Sequence, residues 1–255
     1  MNQSIAILLC AGYGTRMGDL TTDRPKPLLP LAGRPMLDYL LDRLFELPAL
    51  GEIHVVSNHH YLDAFRAWER DWSGRLPAGQ RLIVHDDGSR HSGDRLGAVG
   101  DLAFVLESIP EERWAQGALV AAGDNILQFS LQPLWERFRA SGDHQLLALH
   151  EGSLERLRRT GVLELDAESR VVALHEKPED PPSTWACPSL YCLASSALER
   201  VAGYLAADHP RDEIGRFIGY LVKREAVFAV PTHGERLHVG SPEAYQHAES
   251  ILAGE

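Results

Sequence analysis

The stretch from Ser4 to Pro30, SIAILLCAGYGTRMGDLTTDRPKPLLP, sets the terms for the rest of the chain. It opens with an unbroken apolar run, Ile5 to Cys10, the pattern of a strand buried on both faces of a parallel sheet. A glycine-bearing turn follows at once, from Ala11 through Gly12, Gly14 and Gly18. Glycine lets the backbone bend sharply and brings bare N–H groups close to an anion. Two cations, Arg16 and Lys26, sit on the same loop, and Lys26 stands between Pro25 and Pro27, whose fixed φ presents it from a semi-rigid arm. A strand, a backbone nest and two placed positive charges suit a triphosphate.

Two other phosphate-binding loops are excluded by the same residues. A dinucleotide loop reads G-x-G-x-x-G at the start of a helix, with an acidic residue closing the next strand. Here the third glycine comes one residue late, and the prolines exclude a helix across Lys26. The next apolar strand, Ile53 to Ser57, closes on Asn58 and His59. A mononucleotide-binding P-loop ends in G-K-[ST], which is absent.

Beyond the loop, Leu37, Leu40, Leu41, Leu44 and Leu47 mark a helical face that Pro48 stops, and Tyr61, Phe65, Trp68 and Trp72 mark a second, read as core packing. A strand at Arg81–His85 leads into a polar loop, residues 86–95, and a helix running through Leu106. The strand Ala118–Ala122 ends in Gly123-Asp124-Asn125, which aims a carboxylate into the crevice where open α/β sheets bind ligands. The pattern then changes to strands and turns: a hairpin from 161–166 and 171–175, Glu176-Lys177-Pro178, and a strand around Leu190–Leu193. Arg156, Arg158 and Arg159 read as a solvated face. Ser241 and Pro242 read as the N-cap and first residue of a last helix.

Charge and cysteine content narrow the function classes. A formal net charge of −11 disfavours nucleic-acid binding, and no apolar stretch has the length of a membrane span. Cys10, Cys187 and Cys192 are an odd set without metal-site spacing, read as reduced thiols of a cytoplasmic protein.

The segment LLCAGYGTRMGDLTTDRPKPLLPLAGRPML resembles the amino-terminal motif of the NDP-sugar pyrophosphorylases, nucleotidyltransferases of the glucose-1-phosphate thymidylyl-, uridylyl- and adenylyltransferase type. Shorter matches follow in the family's order: LGAVGDL, AAGDN, GVLELD, HEKP and HVGSPEAY. The resemblance implies a Rossmann-like doubly wound α/β fold, with a mostly parallel mixed sheet and a small β-rich sugar-binding portion. It implies one domain over 1–255, nucleotide-binding up to about 144 and sugar-phosphate-binding beyond. The activity implied is transfer of a nucleotidyl group from an NTP to a sugar-1-phosphate, or a related phosphorylated alcohol, with release of pyrophosphate. A homo-oligomer is compatible with it.

By the same resemblance Ala11, Gly12, Gly14, Thr15 and Gly97 hold the nucleotide. Arg16, Lys26 and Asp124 carry catalysis, and Gly161, Glu176 and Lys177 take the sugar phosphate. Asp124 and the residue at 238 are the metal positions for Mg²⁺. The family has aspartate where this chain has His238, a ligand that suits Mn²⁺ better than hard Mg²⁺. The family also has a glycine before the sugar-site strand, where this chain reads Cys187-Pro188-Ser189. The alternative function is a non-catalytic nucleotide sensor that lost turnover through His238; retention of Arg16, Lys26, Asp124 and Lys177 favours the enzyme.

Overall fold

Alternation along the first strand explains the layering of the molecule. The computed structural model describes residues 4–237 and 239–254. Within β1 (Ser4–Leu9), Ala6 and Leu8 face one apolar cluster and Ile5 and Ile7 the other, so the strand is covered on both sides. The predicted strand thus starts one residue earlier and ends one earlier, with the Cys10 N–H still donating to Val56 O at 3.0 Å.

The remaining strands are two short pairs and the body of one large sheet. β2 (Pro30–Leu31) pairs with β3 (Arg34–Pro35). β4 (Leu50–Ser57), β5 (Arg81–Asp86) and β6 (Ala118–Ala122) extend the central sheet, while β7 (Ile126–Leu127) lies outside it. β8 (His144–His150), β9 (Gly161–Leu165), β10 (Val171–Glu176), β11 (Trp185–Cys187), β12 (Leu190–Leu193) and β13 (Val227–Thr232) complete it; β14 (Arg236–Leu237) pairs with β7. The sheet has ten strands in the order β10-β9-β11-β8-β12-β6-β1-β4-β5, with β13 added alongside β8.

β6, β1, β4 and β5 are mutually parallel, and β13 is parallel to β8; the other pairings are antiparallel. This is the α/β architecture with a mixed, mostly parallel sheet and a β-rich second half that the sequence implied. β11 is an addition: three residues behind two prolines are too few to show a period in sequence.

Helices cover both faces. α1 (Met36–Phe45) and α2 (Leu62–Ser73) lie on one side, and α3 (Ala98–Ser108) on the other. After a short α4 (Glu111–Trp114), α5 (Gln132–Ser141) joins α1 and α2. A short α6 (Leu154–Leu157) precedes β9, while α7 (Ser195–Ala206) and α8 (Ile214–Val222) pack with α3. α9 (Pro242–Ala253) closes the described chain, capped as expected by Ser241, whose Oγ accepts from the Ala244 N–H. The aromatic stripe of α2 is core, and Trp68 and Trp72 both donate Nε1–H to the buried Asp38 Oδ1 at 2.7 and 3.0 Å. No helix among the described residues is long and apolar enough to cross a membrane.

Candidate active site

Register across the sheet brings distant motifs to one rim. Leu9 at the end of β1 pairs with both Ala122 and Val56, and Val56 with His85. In the second half Gly161 pairs with both Glu176 and Cys187, and Ser189 O accepts from the Ala122 N–H at 3.0 Å. The residues after β1, β4, β5, β6 and β10 therefore lie along one rim of the sheet, at the carboxyl ends of the parallel strands.

The first loop is held by groups the local motif does not contain. Ala11 O accepts from Asn58 Nδ2 at 2.8 Å, and Asn58 Oδ1 accepts from the Tyr61 N–H at 2.9 Å. Gly14 is left-handed (φ 62°), and a Cβ there would lie 3.0 Å from Thr21 Cγ2. Thr21 Oγ1 donates to Gly14 O at 3.1 Å, and Tyr61 Oη donates to Thr21 O at 2.5 Å. Gly12, Thr15 and Arg16 stay exposed. Arg16 makes no ion pair among the described residues, which leaves its guanidinium available to an anion.

Lys26 departs from expectation only in its backbone. The prolines prevent an α-helix, but Pro27 fits the second position of a 3-10 turn, Lys26–Leu28, entered from extended Pro25. The turn buries Pro27 and Leu28 and fixes where the ammonium goes: Lys26 Nζ donates to Asp124 Oδ2 at 2.5 Å. The two residues lie 98 positions apart in sequence, with Lys26 12% and Asp124 31% exposed. Asp124 follows β6 through Gly123, where a Cβ would collide with Cys10 Sγ at 2.2 Å, so only glycine lets the two strand ends approach.

A further cation here was not foreseen. Arg236, half-buried on β14, loses ease of protonation to desolvation, while the charge of Asp124 opposes that loss. Nothing in the local sequence marks it, because the pairing of β14 with β7 brings it in. No cluster of three or more metal-ligating side chains occurs among the described residues. His238 lies outside the described residues. Asp124 is a hard, partly exposed oxygen donor, which fits a Mg²⁺ that takes its other ligands from phosphates and water.

Gly161, Glu176 and Lys177 lie together at the end of β10. Lys177 adopts φ 50°, a left-handed conformation uncommon outside glycine, and its N–H donates to Thr160 O at 3.1 Å. Its ammonium bonds Glu213 and lies 3.8 Å from Glu176. Glu213 also accepts from Arg216 Nε at 2.8 Å. Burial raises the Glu176 carboxyl above the ordinary range, against the pull of Lys177. That carboxylate packs tightly on Gly215, where a Cβ would fall 1.8 Å from Oε2, whereas a Cβ at Gly161 would make only ordinary contact with it at 3.6 Å.

Ser189 (φ 50°) takes the left-handed turn before β12 without a glycine. Arg158, read from sequence as part of a solvated face, lines a cavity of about 390 Å³ together with Lys177. Glu213, Arg216 and Arg158 were missed because they approach from separate elements.

Gly97, before α3, is constrained by its neighbours. Its φ is 81°, and a Cβ would lie 2.7 Å from Arg211 O, which accepts from the Val99 N–H at 2.9 Å. Arg95 grips Asp212 with two bonds of 3.1 Å. Consecutive acids, Asp212 and Glu213, thus hold one cation from the loop before α3 and one from the end of β10.

Comparison with known proteins places this arrangement. Residues 5–254 match the family model described as Nucleotidyl transferase. The chain is 25% identical to a UTP–glucose-1-phosphate uridylyltransferase of Haloferax volcanii, covering 98% of this chain and 97% of that one. It is 25% identical to a glucose-1-phosphate adenylyltransferase of Thermosipho africanus over 99% of this chain and 62% of the relative. It is 31% identical to a mannose-1-phosphate guanylyltransferase of Mycobacterium tuberculosis over 78% and 51%. The chain therefore spans nearly all of the first relative and only part of the other two. A UDP-glucose pyrophosphorylase structure complexed with UDP-glucose superposes with a TM-score of 0.82 at 18% identity, covering 99% of both chains. A UTP-bound UGPase of Acinetobacter baumannii gives 0.77 at 16%, covering 98% of this chain and 93% of that one.

Proposed function

The chain belongs to the nucleotidyl transferase family, and from that premise we propose that it transfers a nucleotidyl group from an NTP to a sugar-1-phosphate, giving an NDP-sugar and pyrophosphate. The observation that carries this reading is the 2.5 Å contact of Lys26 with Asp124 beside the glycine-bearing loop, on the rim that also holds Lys177. In this reading the part up to about residue 144 takes the nucleotide and the rest takes the sugar phosphate. A cytoplasmic setting belongs to it too; the three cysteines are buried free thiols.

The chemistry is displacement at the α-phosphorus. An oxygen of the sugar phosphate forms a bond to that phosphorus, the bond to the β-phosphate bridging oxygen breaks, and its electron pair leaves on pyrophosphate. An ionised phosphate oxygen needs no general base, so alignment and charge neutralisation supply the acceleration. Backbone N–H groups around Ala11, Gly12, Gly14 and Thr15 hold the phosphates, with Gly97 bordering the base. Arg16 and Lys26 stabilise charge developing on the α-phosphate and the leaving group. Lys177 takes the acceptor phosphate, exchanging its contact with Glu213 for it, while Glu176 and Gly161 meet the sugar. Asp124 would hold Mg²⁺, which adds positive charge at the triphosphate; if position 238 supplies a ligand as the family's aspartate does, its histidine would suit Mn²⁺.

The test is a screen of ATP, CTP, GTP, UTP and dTTP against sugar-1-phosphates, read by pyrophosphate release with and without divalent metal. Release that needs both substrates supports the reading. Nucleotide binding without turnover for any pair overturns it in favour of a sensor.

A further inference from the structure

Asp101 lies in the LGAVGDL segment without an assigned role and makes no ion pair among the described residues, yet it is 6% exposed in the first turn of α3, three residues beyond Ala98. Its Oδ1 and the Oδ2 of Asp87, in the loop after β5, are buried oxygens that no donor from elsewhere reaches. The two carboxyls face each other, and each shifts the proton affinity of the other. Two carboxylates cannot bond without a proton, and one proton between them satisfies both.

The contacts continue in one direction. Asp87 Oδ1 accepts from the Ser89 N–H at 2.7 Å and from Ser89 Oγ at 2.8 Å. Ser89 is 4% exposed, and its Oγ accepts from Tyr13 Oη at 3.2 Å. Tyr13 stands between Gly12 and Gly14 in the first loop. Hydrogen bonds thus join Tyr13 of the first loop to Asp87, whose carboxyl faces that of Asp101 on α3.

Resting on the nucleotidyltransferase reading, we propose that Asp101 is a positioning residue for nucleotide binding, whose protonated carboxyl donates to Asp87 and so holds Tyr13 and the first loop to the start of α3. Burial, then the facing charge of Asp87, pushes the Asp101 carboxyl up to about 8, so the pair carries its proton at neutral pH. The other groups facing the pair are Cys10 and Tyr13 of the first loop, Asp86 on β5, Asp94, and Asp212, itself bound to Arg95. Burial raises both the Cys10 thiol and the Tyr13 hydroxyl, so they stay protonated while Asp101 ionises. α7 and α8 meet α3 with apolar residues. Above about pH 8 the pair becomes two facing anions, and Asp101 has no proton left to donate.

The experiment measures Kd for the five nucleotides by calorimetry between about pH 7 and pH 9, in the wild-type chain and in Asp101→Asn, Asp101→Ala and Tyr13→Phe. The amide of Asp101→Asn keeps a donor without a titrating proton, so its Kd should match wild type at neutral pH and stay flat. Wild-type Kd should rise about fivefold across the range, the scale of one hydrogen bond. Asp101→Ala and Tyr13→Phe should bind about fivefold more weakly already at neutral pH. A flat wild-type profile, an Asp101→Asn profile that follows wild type, or a Tyr13→Phe chain that binds like wild type would overturn the inference. If the wild-type chain binds none of the nucleotides at any pH, the functional reading fails and this one with it.

Discussion

Replacing Gly215 by alanine separates stability from the proposed sugar-binding role of Glu176. Gly215 is the second residue of α8, and a Cβ there would lie 1.8 Å from Glu176 Oε2, 3.0 Å from its Cδ and 3.3 Å from Leu174 Cδ2. Ordinary contact begins at 3.4 Å, so the carboxylate must retreat by about 1.6 Å. What obstructs is mainly the end of a side chain, so the overpacking penalty stays at the low end of about 1–3 kcal/mol. Alanine returns up to about 1 kcal/mol of helix propensity. The two effects offset, and Tm should move by only a few degrees.

Activity should respond differently. If Glu176 holds a sugar hydroxyl, its displacement loses a hydrogen bond to a charged group, about 1.5–3 kcal/mol, which corresponds to roughly a tenfold or larger rise in acceptor KM. Nucleotide KM should stay within about twofold, because Glu176 is on the far side of Lys26 and Asp124 in the proposed assignment. Steady-state kinetics with each substrate varied in turn, alongside thermal melts, reads both. An unchanged acceptor KM at unchanged Tm would show that the Glu176 carboxylate does not touch the sugar.

Other perturbations follow from the same geometry. Lys26→Ala should lower kcat by about 10²-fold or more, the cost of losing one fixed electrostatic stabiliser, and a change confined to KM would reassign it to ground-state binding. Glu213→Gln frees Lys177 from its counter-ion and should lower acceptor KM by up to about fivefold, the scale of a partly exposed ion pair; a rise would make Glu213 a substrate contact instead. Although burial works against its ionisation, hydrogen bonds from Ser196, His144 and Arg200 bring Glu225 down to about 2. Its folded value lies below the unfolded one, so its stabilisation is present above the unfolded value of about 4.5 and is lost as pH falls toward 2. Denaturant titrations at falling pH should show that loss in the wild-type chain and a shallower one in Glu225→Gln.

What could be read from the sequence was what local chemistry encodes. The glycine-bearing loop, the proline-flanked Lys26 and the acid closing β6 each carry their meaning within a few residues, and the apolar periods located α1, α2 and the parallel strands. The structure brings Lys26 and Asp124 into contact across 98 positions, a pairing that neither motif states by itself. Glu213, Arg236 and Asp101 escaped because their significance is wholly tertiary: one reaches Lys177 from before α8, one arrives through β14, and one acquires a partner only when α3 meets the loop after β5. The 3-10 turn at Lys26–Leu28 escaped for a local reason, since proline forbids continued α-helix but tolerates a single tighter turn.

The central claim is that the α-phosphate of the nucleotide, and not its terminal phosphates, moves onto the phosphate of the acceptor. Incubating the chain with NTP radiolabelled at the α-phosphate and with NTP labelled at the γ-phosphate, each with the acceptor found by the screen, tests this directly. The account predicts that α-label appears in the NDP-sugar and γ-label in pyrophosphate, in equal amounts and only when both substrates are present. γ-Label in a sugar bisphosphate, or label released as inorganic phosphate without acceptor, would contradict it.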